Sequence, residues 1–409
     1  MRRFFASLAF AGLLAGTSLS PAVAQQTGPI QVSSGIKYEF LARWDVDRLN
    51  KIMQVDTPKF AGVTVTNTPA RNAVRLYRVT YNSVVPEKGN KPIVVSGLLA
   101  IPDVDAKSFP TVSYQHGTVY GREQVPSFPE QSDETRLMIA QFAGQGYVLM
   151  GSDYFGMGIS TEPEGYMVKA SHQQACTDMI GAGRAVLDQM KITSDKLFLS
   201  GWSQGGFVTM ACLQKLEKDG VKVDGAATAS APLDLSALMN GFLNFPRKND
   251  AVWLNSIVIL SAFAFENYYG IPGMARSVIA DEYYDMAKAA YDRTALPNGK
   301  PLDPAAIPTD LHKLMKPEYF DSQFFAASAY GRLMNATESY HWLIKSPVRN
   351  YYGEADEAIT VGVGRMAMTY QQAIGAGNPL VEAVSTGQTT HRGTFVTAVP
   401  QWKAWFDGR

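Results

Sequence analysis

Cysteine is nearly absent, with two residues in a chain of 409. That excludes a scaffold built on disulfides, and the lack of paired C-x-x-C segments excludes a structural zinc ribbon. An excess of charge of one sign is also missing. Lysine plus arginine total 37 and aspartate plus glutamate total 37, so the formal net charge is zero. No bulk field therefore draws the chain to nucleic acid or to an anionic lipid surface, and no nucleic-acid partner is expected. Histidine is scarce at five residues, so each candidate for a general base can be weighed singly. Charged residues make up only 18% and hydrophobic residues reach 46%. That balance excludes a disordered chain and predicts a large buried core. The length fits one large α/β domain with an insertion, or two to three small domains.

Long apolar runs are missing too. The N-terminal one, Phe4 to Leu14, is too short to span a bilayer comfortably. It follows Arg2 and Arg3 and precedes Ala22-Val23-Ala24. A basic start, an apolar stretch and a small-x-small site form the pattern of a cleaved export signal. Residues 1–24 therefore read as a signal peptide, with Gln25 as the new first residue. No cysteine follows the cleavage site, so no lipid anchor is expected. The protein is expected to be exported, periplasmic or secreted, without a stable membrane anchor.

Residues 25–72 are mixed and weakly periodic and read as an N-terminal extension. β-type runs then begin. Val74–Tyr81 alternates as a half-buried strand does, and Ile93–Ile101 ends at Pro102. Thr111–Tyr114, Tyr147–Gly151, Lys196–Ser200 and Ala226–Ser230 are short apolar runs. Helix-like stretches at 134–145, 172–190 and 205–219 lie between them. Such alternation implies a mostly parallel sheet with helices on both faces. It stops near residue 236. From there to 345 the pattern is helical and apolar, crowding Trp253, Ile257, Val258, Leu260, Phe263 and Phe265 into one stretch. Prolines from Pro272 to Pro317 divide this region into short helices, because proline cannot continue the hydrogen-bond ladder. Strand patterns resume at Val348–Tyr352 and Leu380–Val384. The expected division is a core of 73–235 and 346–409 with a helical lid or cap insertion at 236–345.

Gly201-Trp202-Ser203-Gln204-Gly205 fits G-x-S-x-G between an apolar strand and a helix. A nucleophile elbow needs that context, since the tight turn lifts the serine above the sheet. A serine hydroxyl is a weak nucleophile and requires a base oriented by an acid. His391 alone among the five histidines follows the last strand, in Thr390-His391-Arg392-Gly393, where the chain can return to Ser203. Asp356 directly follows the Tyr351-Tyr352 strand end, with Glu354 and Glu357 as local competitors. The catalytic expectation is Ser203, Asp356 and His391. The tetrahedral intermediate also needs donors. Gln204, next after the nucleophile, should give one backbone N–H, and the Gln115-His116-Gly117-Thr118 turn the other, with Thr118 preferred and Gly117 next. His116, Gly117 and Trp202 flank these groups and are expected to contact substrate. Asp153 is expected to brace the turns around the elbow. The aromatics of the insertion read singly as core and as a group as an acyl pocket.

Four further segments match a known pattern beside the elbow: Ser96-Gly-Leu-Leu-Ala-Ile-Pro102, Tyr114-Gln-His-Gly-Thr118, Asp153-Tyr-Phe-Gly-Met-Gly158 and Gly353-x-x-Asp356. With them the chain resembles the α/β-hydrolase superfamily serine esterases and lipases over about residues 74–395. Within that superfamily it is similar to the microbial secretory lipases. The resemblance implies an α/β fold with a mostly parallel eight-stranded sheet, helices on both faces, and a helical lid between the sixth and seventh strands. The expected activity is hydrolysis of a small-molecule or lipid ester through an acyl-enzyme, needing no cofactor and no metal. One alternative is a serine peptidase of the prolyl-oligopeptidase kind, although residues 25–72 are too few for the propeller such peptidases carry. Another is a non-catalytic binding protein of the same fold, against which the intact triad argues.

The two cysteines pose a separate question. Cys176 lies in the helix before the elbow strand and Cys212 in the helix after it. In this fold the two helices are parallel neighbours, and the cysteines sit at similar depth. A disulfide forms if both side chains point into the shared seam; otherwise they are two buried thiols.

Overall fold

A computed structural model describes residues 28–294, 307–375 and 379–409. The expected signal peptide, 1–24, lies outside them. The strands form one ten-stranded sheet in the order β1-β2-β3-β4-β6-β5-β7-β8-β9-β10. The first four are β1 (Ile30–Ser33), β2 (Ile36–Trp44), β3 (Val74–Val85) and β4 (Lys91–Pro102), and all pair antiparallel. After β4 pairs antiparallel with β6 (Val148–Ser152), the rest is parallel: β5 (Ser108–Gln115), β7 (Thr193–Trp202), β8 (Gly225–Ala229), β9 (Val348–Tyr352) and β10 (Val381–Ser385). Strands β6 and β8 are buried throughout, because helices cover both faces of a parallel sheet.

The eight strands expected from the sequence are β3 to β10. The two extra ones come from the N-terminal extension. Strand β2 hides in the sequence for a physical reason: its register against β3 shifts between Phe40 and Ala42, which breaks the two-residue alternation. Packed on β3, β1 and β2 cover what would otherwise be an open sheet edge.

Helices Lys169–Gln189 and Gln204–Lys218 pack together on one face. Cys176 and Cys212 meet in their seam with Cα atoms 6.1 Å apart and are disulfide-bonded. Helices Asp133–Gln141 and His391–Asp407 cover the other face through Leu137, Phe395 and Trp402. Leu98 and Leu99, adjacent on β4, belong to the two opposite cores, as strand geometry requires.

Between β8 and β9 the chain builds a helical layer. Its central helix, Asn255–Tyr269, is buried nearly all round, including Ile257, Val258, Leu260, Phe263 and Phe265. A helix apolar on every side belongs inside a protein, and each such side chain contributes about 1.5–3 kcal/mol on burial. Its interior is continuous with that of the sheet, joining Leu99 and Met150 to Phe263 and Tyr330. No helix among the described residues is long and apolar enough to cross a membrane.

Candidate active site

The strand β7 ends at Trp202 and the next helix opens at Gln204. Ser203 between them has φ +56°, a left-handed conformation that costs a non-glycine residue roughly 1–3 kcal/mol. The surrounding contacts impose it. A Cβ on Gly205 would lie 1.9 Å from the Gln115 carbonyl oxygen, and one on Gly201 would lie 2.3 Å from the Gly205 carbonyl oxygen. Only glycine allows the helix to start that close to the sheet, and this proximity forces the serine outward.

His391 is the first residue of helix His391–Asp407, which Thr390 caps by accepting from the Gly393 N–H. Its Nε2 lies 2.9 Å from Ser203 Oγ. Its Nδ1 lies 3.1 Å from each carboxylate oxygen of Asp356. The carboxylate assigns the ring proton to Nδ1, so Nε2 is left to accept from the serine hydroxyl. Asp356 Oδ1 also accepts from the Ala358 and Ile359 amides, each at 2.8 Å. Burial pushes the Asp356 carboxyl upward, but the facing imidazole and the amide bonds outweigh this and hold it below the usual carboxylate range.

Neither competing acid bonds the imidazole of His391. Glu354 bonds Ser385 Oγ and Gln388 Nε2 on the surface. Glu357 accepts from the His391 backbone N–H at 2.8 Å and so holds the base by its main chain. Trp202 Nε1 donates to the His391 carbonyl at 3.1 Å, while its ring stacks on Phe395. Trp253, from the helical layer, also packs against the imidazole, at 5.4 Å between ring centroids. Ser203, His391, Thr118, Tyr120, Trp202, Trp253, Glu357 and Arg392 line a cavity of about 350 Å³.

Gln204 opens its helix, so its N–H has no intrahelical acceptor. Thr118 lines the same cavity. The Gly117 N–H, by contrast, is taken by the Glu134 carboxyl, at 3.1 and 3.0 Å from its two oxygens. His116 is buried. Its Nδ1 is 2.8 Å from the Gly117 carbonyl, its Nε2 is 3.3 Å from the Asp153 carbonyl, and its ring stacks on Tyr154. Burial pushes its pKa down to about 4, so it is a neutral histidine within the core. His116 and Gly117, expected to contact substrate, are not among the residues that line this cavity, and both brace the turn that carries Thr118. Trp202 does line it. Asp153 is buried beneath, where it accepts from the Ser127 amide and hydroxyl and from Ser96.

Phe263, a candidate acyl-pocket residue by composition, stacks on Tyr291 within the helical layer and does not reach Ser203. Of these residues the sequence points to Glu357 only as a competing acid and to Trp253 only within the group of insertion aromatics, and it gives no sign of Glu134. Trp253 carried no signal beyond its apolar neighbours. Glu134 follows Ser132, an N-cap, and looks like an ordinary solvated acid of a first helical turn.

Glu134 makes a pH prediction. Burial pushes its carboxyl up to about 8 from an ordinary value of 4.5. Between these pH values the folded state keeps a proton that the unfolded chain has released. The stability linked to this group is thus complete below about pH 4.5 and is lost as pH rises through about 8. Glu134→Gln should flatten that decline, as read by melting temperatures at about pH 5, 7 and 9. A decline as steep as wild type's would show that Glu134 does not titrate there.

No protein-family model matches the sequence, and no curated protein does. Solved structures do match. A protein from Legionella pneumophila superposes with a TM-score of 0.79 at 19% identity, over 91% of this chain and 96% of that one. The rice cell wall degrading esterase LipA from Xanthomonas oryzae gives 0.73 at 21% identity, over 94% and 98%. Candida antarctica lipase A gives 0.59 at 16% identity, over 86% and 77%. At these identities the likeness is one of architecture, and together with the strand order and the elbow it shows that this chain has the α/β-hydrolase fold.

Proposed function

We propose that the protein hydrolyses carboxylic esters through an acyl-enzyme on Ser203. The observation that carries this reading is the 2.9 Å contact of Ser203 Oγ with His391 Nε2, backed by Asp356 on Nδ1. Ser203 Oγ attacks the ester carbonyl carbon and its proton passes to His391 Nε2. The ionised Asp356 stabilises the resulting imidazolium. The carbonyl oxygen becomes an oxyanion facing the N–H groups of Gln204 and Thr118, and Thr118 is favoured over Gly117 because Glu134 already takes the Gly117 amide. Collapse breaks the bond to the alcohol, which leaves with the proton from His391. Water then repeats the sequence on the acyl-serine, releasing the carboxylic acid and restoring Ser203. The test is a panel of p-nitrophenyl esters from acetate to palmitate beside aminoacyl anilides. Higher kcat/KM on an anilide than on every ester would overturn the reading in favour of a peptidase.

The cavity gives the substrate side of the proposal a handle. Trp253 walls the space above His391, so Trp253→Ala should shift relative kcat/KM toward longer acyl chains by several-fold. Phe263→Ala should leave the preference unchanged and lower stability by about 3–5 kcal/mol, because it empties part of a packed interior. A preference that moves with Phe263 and not with Trp253 would contradict this placement.

Action outside the cytoplasm belongs to the same proposal. The pattern of residues 1–24 supports it, and so does the buried Cys176–Cys212 bond, since such bonds persist in oxidising compartments. A mature N-terminus at Gln25 in the exported fraction is the expected result.

A further inference from the structure

The turn that carries Thr118 is held from two sides by ionisable side chains, one 17 residues along the chain and the other 174. On one side is Glu134, on the Gly117 N–H. On the other is Arg293, at the end of helix Asp281–Asp292 in the helical layer, itself in a left-handed conformation at φ +53°. Its Nε donates to the Tyr120 carbonyl at 3.0 Å and its Nη2 to the Val119 carbonyl at 3.4 Å. Nη2 also donates to Glu164 Oε2 at 2.6 Å, and both side chains are largely buried. Glu164 is held in turn, because its carbonyl accepts from the Tyr291 hydroxyl at 2.6 Å, two residues before Arg293.

These bonds fix specific peptide planes. The Gly117 N–H belongs to the plane before residue 117, and the Val119 and Tyr120 carbonyls belong to the planes after 119 and 120. The N–H of Thr118 shares its plane with the Gly117 carbonyl, which His116 Nδ1 meets at 2.8 Å, and the Arg293 bonds fix the chain just beyond it. We propose that Arg293 is a positioning residue for ester hydrolysis: by gripping the Val119 and Tyr120 carbonyls it anchors the chain beyond Thr118, so that the Thr118 N–H keeps its aim at the oxyanion. This rests on the Ser203 reading above. A planar guanidinium suits the task, since its fork reaches two carbonyls and a carboxylate together, which a lysine ammonium cannot do with the same geometry. Catalytic donors act only where the oxyanion forms, and a misplacement of about 1 Å can cost on the order of 100-fold in rate.

Arg293→Lys keeps a cation for Glu164 and loses the fork. Arg293→Met paired with Glu164→Gln removes the charges together, so that neither is left buried alone. Both should lower kcat on p-nitrophenyl acetate by at least about tenfold with KM within about twofold. Both should still be labelled by a fluorophosphonate, one equivalent per chain at completion. Affinity for a trifluoromethyl ketone, whose hemiketal oxyanion needs the same donors, should fall in proportion to kcat/KM. A purely structural role for Arg293 predicts fewer labelled sites with unchanged ketone affinity per labelled site, and that result would overturn the inference. So would variants with wild-type kcat beside an active wild type. A wild type that neither hydrolyses esters nor takes the label would instead overturn the Ser203 reading, and this inference with it.

Discussion

Ser203→Ala should lower kcat on short p-nitrophenyl esters by on the order of 10⁴-fold or more, with the melting temperature nearly unchanged. The loss is large because the Ser203 hydroxyl is the group held against His391 Nε2, and without it the imidazole has no nucleophile to activate. The fold should survive because the Ser203 side chain is only partly buried and its hydroxyl contacts His391 rather than the core. Alanine carries the same Cβ as serine, so it meets the positive φ at this position at no added cost. Fluorophosphonate labelling should disappear in parallel. Activity within tenfold of wild type would remove Ser203 from the mechanism.

The second large effect concerns stability. Replacing Cys176 and Cys212 together by alanine should destabilise the protein by about 4 kcal/mol. A bond closing a loop of 36 residues restricts the unfolded chain by about that much in the chain-entropy picture. The bond links the helices on either side of the elbow strand, so the double variant should also unfold at a lower urea concentration. Unfolded, unreduced wild-type protein should contain no free thiol. Two thiols per chain would exclude the bond, and an unchanged urea midpoint would show that it adds nothing to stability.

What the sequence made legible follows from the range of the interactions involved. The elbow could be read because its constraints are local: Gly201, Ser203 and Gly205 meet backbone within a few residues or on the adjoining strand end. Asp356 and His391 could be read because they follow strand ends, and strand ends are where this fold places chemistry. Contacts across the molecule were illegible. Glu134 reaches Gly117 and Arg293 reaches Val119 through side chains that no periodic pattern records. The choice between Trp253 and Phe263 was equally hidden. Trp253 lies in the turn Val252–Leu254, and the helix Asn255–Tyr269 that follows is apolar all round, so hydrophobicity does not say which aromatic faces the serine and which the interior. The same logic separates Thr118 from Gly117, because only the tertiary structure shows that one amide is already occupied. Strand β2 is hidden for a local reason, a bulge that disrupts the alternation by which strands are recognised.

The helical layer shares its interior with the sheet. A layer joined to the rest of the protein in this way is not an exchangeable module. Grafting in the corresponding segment of another protein of this fold would remove part of a common core along with any specificity it was meant to change. Redesign of acyl preference is therefore better confined to single walls of the cavity, such as Trp253, where side chains can change without disturbing the packing beneath.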